Sequence, residues 1–188
     1  MKRVLGTTVL LCLLLAGSCW AADFSLLLND FSAQGRFNIA LDKNDFGESY
    51  TEMRLLYNDH KDTQFGTIAG GVSGEPGDIP GVKFGAEVLA NLGSSNDKNL
   101  MAIGLGLKVN YLPPPVPGLA VYGRLQYAPE LLSFLNCKNL FEPAVGVSYM
   151  ITPKAAISVE YQNIRADIKH TGHRNIDNAV RAGILFHF

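Results

Sequence analysis

The chain has 188 residues, with 16 Lys and Arg, 17 Asp and Glu, and a formal charge of −1. It is 47% hydrophobic but only 18% charged, against about 25% charged in ordinary soluble domains. The length suits one domain, the balanced charge argues against a nucleic-acid binder with its basic stripe, and the scattered glycines and prolines exclude a collagen-like or disordered chain.

The first 21 residues read as a signal peptide and residues 22–188 as one domain. Lys2 and Arg3 form a positive start, Val4 to Ala16 is mostly apolar, and small residues follow at Gly17 and Ser18, the layout of a cleaved secretory leader. Cleavage after Ala21 places Cys19 and Ala21 at the two positions that need small side chains. Ala16-Gly17-Ser18-Cys19 is also similar to a bacterial lipobox, which would make Cys19 an acylated N-terminus. The apolar run is shorter than the ~20 residues of a spanning helix. Cys12 and Cys19 lie in the leader, so Cys137 stands alone in the mature chain and no internal disulfide is expected. Without Lys2 and Arg3 the 16 basic residues become 14 against 17 acidic ones, a charge of about −3.

After Ala22 the dominant signal has period two, the signature of strands with unlike faces. Four weaker segments come first: Phe24 to Asn29, Arg36 to Leu41, Tyr50 to Asn58 and Gln64 to Val72. Six clearer ones follow. Val82, Phe84, Ala86, Val88, Ala90 and Leu92 alternate with Lys83, Gly85, Glu87 and Asn91, with Leu89 the exception. Met101 to Tyr111 repeats the pattern around Gly104, Gly106 and Lys108. Leu119, Val121, Leu125 and Tyr127 alternate with Tyr122, Arg124 and Gln126. Val145, Val147, Tyr149 and Ile151 alternate with Glu142, Ala144, Gly146 and Ser148. Ile157, Val159 and Tyr161 alternate with Ser158, Glu160 and Gln162. Val180, Ala182, Ile184, Phe186 and Phe188 alternate with Arg181, Gly183, Leu185 and His187. Turn chemistry separates them at residues 93–97, at Pro113 to Gly118, at Thr152-Pro153 and at Thr171-Gly172-His173. Glu130 to Leu135 has room for one helical turn.

Several segments approach ten residues, the length with which a tilted strand crosses a bilayer. One face carries Arg36, Arg54, Lys83, Glu87, Lys108, Arg124, Glu142, Glu160 and Arg181; the other is aliphatic and aromatic. A water-soluble barrel would turn the aliphatic face inward around an apolar ligand, whereas a membrane barrel turns it to lipid and lines the lumen with paired charges. Threading the segments with both termini on the periplasmic side places Tyr57, Tyr127 and Tyr161 toward the outer rim, and Phe84, Tyr111 and Tyr149, with Phe186 and Phe188, toward the inner rim. These form two aromatic girdles. Lipid forbids an open sheet edge, and closure with both ends inside requires an even number of strands. The expected fold is therefore all-β: a closed, antiparallel, up-and-down transmembrane barrel of about ten strands, with eight as the alternative.

The chain ends Arg181-Ala182-Gly183-Ile184-Leu185-Phe186-His187-Phe188. With Arg181, Gly183, Phe186 and Phe188 at their spacing, it resembles the C-terminal signal of bacterial outer-membrane barrels. The resemblance implies an outer-membrane location, insertion by the barrel-assembly machinery, and escort by periplasmic chaperones. Tyr127-Ala128-Pro129-Glu130-Leu131-Leu132-Ser133-Phe134, together with Val121-Tyr122-Gly123, Glu142, Val159-Glu160-Tyr161 and Arg165-Ala166-Asp167-Ile168, is similar to the YfaZ family of predicted outer-membrane proteins. Where that family usually shows Gly-Tyr-Arg, this chain has Glu160-Tyr161-Gln162. The resemblance implies location and fold rather than an activity.

No catalytic set, metal site or cofactor is expected. His170 and His173, three apart near Asp167 and Asp177, have the composition of a metal site, but in an outer loop they read as a solvated turn. Ser133, His170, His173, Asp167 and Asp177 could supply a rim enzyme acting on outer-membrane lipid, though no spacing fixes their geometry. Gly104 and Gly106 lie inside a strand and read as space for lumen side chains, not as a nucleotide loop. His187 is expected to pair with a nearby carboxylate. Pro129 should end strand pairing, with the following loop either a simple terminator or folded over the mouth. The role expected is that of a barrel with a narrow or plugged lumen, with a narrow pore as the alternative.

Overall fold

The computed structural model describes residues 21–44, 47–77, 79–95, 98–169 and 172–188. Residues 1–20 of the expected leader, with Cys12 and Cys19, and also His170, lie outside the described residues. From Ala22 onward the described chain is almost wholly strand: β1 (Ala22–Leu28), β2 (Ser32–Asn44), β3 (Gly47–Asn58), β4 (Thr63–Gly74), β5 (Val82–Ser95), β6 (Lys98–Tyr111), β7 (Leu119–Ala128), β8 (Ser133–Leu135), β9 (Cys137–Thr152), β10 (Ala155–Ile168) and β11 (Gly172–His187). Neighbours in sequence are neighbours in the sheet and pair antiparallel; β11 closes the ring on β1, from Asp23↔His187 to Leu28↔Ala182.

The wall has ten places, because β7 and β8 share one. β7 pairs with β6 as far as Leu105↔Tyr127, and β8 resumes on the same strand at Ala102↔Ser133. Between them Pro129, with no N–H to give to a ladder, diverts the chain into a single 3-10 turn at Glu130–Leu132. The Pro129 carbonyl accepts the Leu132 N–H at 3.0 Å and the Ser133 hydroxyl at 2.9 Å. Leu131 is 87% exposed, so this loop is a terminator and does not enter the mouth.

Apart from β1 and β8, the strands run 10–16 residues, longer than the sequence segments. Twelve residues at ~3.4 Å give about 40 Å of strand, which at ~45° tilt rises nearly 30 Å. The alternation breaks at strand ends and also within β10 and β11, where Gln162, Asn163 and Ile164, and Ile176 and Asp177, are buried in succession.

The direction of the alternation is the reverse of a water-soluble barrel. On β10, Ile157, Val159 and Tyr161 are 49%, 46% and 40% exposed, while Ser158, Glu160 and Gln162 are 4%, 2% and 0% exposed. Val88, Leu105 and Ile184 also face outward. This arrangement overturns the alternative of an inward apolar lining for a greasy ligand.

The lumen is not charged throughout, as the sequence had suggested. Leu56, Phe65, Leu100, Leu140, Ile164 and Ile176 pack with one another inside the end that carries the 59–62 turn. All but Ile176 share the inward parity of their strands, and together they fill that end with aliphatic and aromatic side chains. A bulge assists: Ile164 pairs with Asp177 and Arg165 with Asn175, which leaves Ile176 as the extra residue. Ile176 is thereby turned inside beside Asp177, which already faces inward by its parity with Arg181, as two-against-one pairing allows. Thr63, whose hydroxyl lies 2.9 Å from that of Ser95, also donates to the Ile176 carbonyl at 3.3 Å, so β11 leans across this end toward β4.

The seam between β11 and β1 depends on Gly183. A Cβ placed there would lie 1.8 Å from the Leu26 carbonyl oxygen, whereas one at Gly35 meets nothing within 4 Å. Gly183→Ala is expected to destabilise the folded barrel by more than ~2 kcal/mol, and Gly35→Ala to change it by less than ~0.5 kcal/mol. Urea midpoints of the two variants in the same detergent check this.

Candidate functional site in the barrel lumen

Inside the barrel, five carboxylates and five cations are arranged as one lattice. Its centre is Glu142 on β9, fully buried. The Arg54 guanidinium on β3 grips it with both terminal nitrogens, one at 2.7 Å, and also donates to the Thr67 hydroxyl at 2.8 Å. Glu142 also accepts from Arg124 at 3.2 Å and from the Gln162 amide at 2.7 Å. Arg124 bonds in turn to Glu52 at 3.0 Å, and Lys108 bridges Glu52 and Glu87 at 2.8 Å each. Glu87 also accepts from Tyr50 at 3.1 Å and Gln126 at 2.8 Å. Glu160 is held by Arg36 at 3.0 Å and Gln34 at 3.0 Å. On the last strand Arg181 clasps Asp177 with two bonds of 2.8 Å and donates to Ser32 at 2.8 Å and Gln162 at 3.0 Å.

The sequence placed Arg36, Arg54, Glu87, Lys108, Arg124, Glu142, Glu160 and Arg181 on the inner face, and the structure brings these together. Lys83 has the same parity but forms no ion pair with a described residue. Two members were missed. Glu52 sits two residues before Arg54 on one strand, so parity alone pointed to it. Asp177 had been read as a loop residue, but β11 begins at Gly172, and Asp177 shares the inward parity of Ala179 and Arg181. The neutral partners Gln34, Gln126 and Gln162 are fully buried; amides on a face of arginines and carboxylates are the visible signal there.

Small residues in the wall make the lattice possible. A Cβ at Gly106 would meet the Glu87 side chain at 2.5 Å, and one at Gly146 would meet the Tyr122 ring at 2.4 Å. Gly106 thus seats a carboxylate rather than an arginine, while a Cβ at Gly104 would meet the Tyr127 backbone at 2.7 Å.

The lattice crosses the lumen. In the ring of ten places β3 and β9 are five apart, directly opposite each other, and the Arg54–Glu142 contact spans them. Beyond it, toward the 59–62 turn, lies the apolar cluster. On the other side, toward the chain termini, the lumen widens into a cavity of about 540 Å³ reached by Arg36, Glu52, Lys108, Tyr122 and Glu160, with the Pro113–Gly118 turn at its rim. There His187 Nδ1 and Asp23 Oδ1 lie 2.6 Å apart, the expected pairing of that histidine.

Among the described residues the rim candidates do not assemble. The Ser133 hydroxyl is bonded to the Pro129 carbonyl, Asp177 belongs to the lattice, and exposed His173 contacts Asp167, whose other oxygen accepts from Asn139 at 2.7 Å. Among the described residues no group of three or more His, Cys, Asp or Glu is placed to hold a metal ion. Cys137 is buried and unpaired in any disulfide. Tyr57, Phe84, Tyr111, Tyr127, Tyr149 and Tyr161 all stand on the outer surface, as do Phe186 and Phe188.

No protein-family model matches the chain, and no curated protein matches it. The resemblance to the YfaZ family thus has no matching family model behind it. Among solved structures the chain is similar to the KdgM porin, at 12% identity over 89% of this chain and 99% of that one, with a TM-score of 0.42. It is similar to the outer membrane channel DcaP of Acinetobacter baumannii at 11% identity over 89% and 62% of the two chains, with a TM-score of 0.45. It is also similar to the translocator domain of the autotransporter NalP from Neisseria meningitidis, at 13% identity over 90% and 86%, with a TM-score of 0.39.

Removing one member of the central pair should cost more than removing both. Glu142→Leu strands Arg54 and Arg124 without their shared carboxylate, a loss of roughly 3–5 kcal/mol for a buried ion left alone. The double variant Arg54→Met with Glu142→Leu should recover a measurable part of that loss. A double-mutant cycle on unfolding free energies checks it.

Proposed function

We propose that the protein is an integral outer-membrane β-barrel with a closed lumen, which serves the membrane as a structural or adhesive element rather than as an open pore or an enzyme. The observation that carries the reading is the Arg54–Glu142 contact between opposite walls. An open channel needs a clear axis, and here a fully buried, bidentate ion pair occupies it with an apolar cluster stacked beyond.

The membrane part of the reading rests on the outer surface. A continuous band of Leu, Val and Ile turned outward has no reason to exist in water, where large exposed apolar patches drive association. In hydrocarbon the same band is required. Closure into a ring leaves no unpaired sheet edge within the lipid. Tyr57, Tyr127 and Tyr161 on one side, and Phe84, Tyr111 and Tyr149 on the other, supply interfacial girdles. Arg181, Gly183, Phe186 and Phe188 serve as the recognition signal for the barrel-assembly machinery, after export by the leader and escort by periplasmic chaperones. The termini and the Pro113–Gly118 turn then face the periplasm, and the apolar-filled end faces outward. The segment similar to the YfaZ family fits the same location.

Two measurements test this. Leu105 is 64% exposed, so in a soluble protein Leu105→Arg would change stability by less than ~0.5 kcal/mol. Facing lipid near mid-strand, the same change is expected to cost about 2–4 kcal/mol, read as the unfolding free energy in liposomes. In planar bilayers the wild-type protein should give no steady current; large, stable open steps would overturn the closed lumen.

A further inference from the structure

We infer that Arg165, on the lipid-facing side of β10 toward the end of the barrel away from the termini, is the headgroup contact of a lipid A molecule, which it holds through a phosphate. The inference rests on the orientation proposed above, with the termini in the periplasm and this end outward.

Sidedness singles the residue out. Arg36, Arg54, Arg124 and Arg181 take the inner face, and Arg174 lies opposite inward-facing Ala166. Among the arginines of the described strands only Arg165 shares the parity of the lipid-facing Ile157, Val159 and Tyr161, and it is exposed. Its register runs through Phe141 on β9 to Tyr127 on β7, and on the other side to Asn175 on β11. Tyr127, Phe141 and Tyr161 are all exposed, so the guanidinium borders an aromatic surface. Four residues past Tyr161, at ~3.4 Å each and ~45° tilt, amount to a rise of about 10 Å. That carries Arg165 out of hydrocarbon and within reach of the headgroups, a layer roughly 5–7 Å deep.

The side chain is held but not neutralised. Asn163, on the same face yet only 3% exposed, accepts from Arg165 Nε at 3.3 Å and donates to the Tyr161 hydroxyl at 3.3 Å. The two terminal nitrogens of Arg165 have no hydrogen bond or ion pair among the described residues. Asp167, the carboxylate next along this face, is already engaged: it contacts His173 and accepts from Asn139 at 2.7 Å. A second cation joins the same row, because Lys61 Nζ donates to the backbone and side-chain oxygens of Asn175 at 3.1 Å each.

A planar fork with both outer nitrogens open, bordered by rings and aliphatic side chains, calls for an anion attached to a hydrocarbon tail. Lipid A carries both. Its phosphates are terminal monoesters, with three oxygens open to a fork and to a second cation, where the diester of a glycerophospholipid offers two. Its acyl chains would lie along Val145, Val159 and Tyr161, which face outward below Arg165.

Native mass spectrometry of the folded mature chain, released from a neutral detergent, tests this with bisphosphorylated lipid A, the same lipid stripped of both phosphates, and inorganic phosphate. Retention of lipid A but not of the stripped lipid, undisturbed by excess inorganic phosphate, is the expected result. Arg165→Gln should weaken retention by about 10-fold or more, the scale of a lost charge-assisted bond. Arg165→Lys, which keeps the charge but not the fork, should fall between, and Arg174→Gln should leave retention unchanged. Retention unaltered in Arg165→Gln, equal loss in Arg174→Gln, equal retention of the stripped lipid, or displacement by inorganic phosphate would each overturn the site. Should Arg165→Gln lose the wild-type urea midpoint, Arg165→Lys is read in its place, and wild-type retention there counts against the site. Failure here with Leu105→Arg still costly in liposomes leaves the membrane barrel standing; a harmless Leu105→Arg would remove the membrane setting and the lipid site with it.

Discussion

Ions enclosed by a wall of hydrocarbon must satisfy one another. Each of the five carboxylates in the lumen is met by at least one cation, and each cation by at least one carboxylate. The favourable part of each contact is offset by lost hydration, so the lattice contributes less to net stability than its bond count suggests. What it enforces is arrangement. Arg54 and Glu142 reach each other only if β3 and β9 face each other across a ring of this circumference. A slip of one residue in any strand would turn its ion to lipid and an aliphatic residue into the lattice. Register, strand number and lumen content are thus one constraint expressed three ways.

Much of this was legible from residue order. Period-two alternation gave the strands, their faces and the even count, because in a membrane barrel each strand needs one lipid face and one inner face. The inner ions from Arg36 to Arg181 followed from the same parity, as did the pairing of His187. Two kinds of feature were hidden. The first is the bulge at Ile176, which adds that side chain to the apolar cluster; nothing in Asn175-Ile176-Asp177 declares that two residues will face one. The second is the apolar filling beyond the lattice. Leu56, Leu140 and Ile164 carry the side chains of lipid-facing residues, and only their parity within β3, β9 and β10 distinguishes them. An alternation read by residue type treats them as errors, while one read by position treats them as lumen.

The two halves of the lumen therefore answer different needs. Toward the 59–62 turn, aliphatic packing excludes water without demanding hydrogen bonds, and the lean of β11 brings Ile176 within reach of Thr63. Toward the termini, the lattice borders an open space with the proline-rich turn at its rim, where Gly118 adopts the left-handed backbone. One end is sealed by apolar contact and the other is left polar and roomy. The bond between Arg54 and Glu142 marks the boundary between them.

The separation of bonded partners along the chain has a consequence for biogenesis. Gln34 meets Glu160 at 126 positions' distance, and Arg181 meets Ser32 at 149. Neither contact exists until the final strand has arrived and the cylinder is complete. A half-inserted sheet would carry unneutralised guanidinium and carboxylate groups beside acyl chains, an intermediate the bilayer strongly disfavours. Completion of the interior thus waits on closure of the ring, which gives the nascent protein an internal check that only finished cylinders pass.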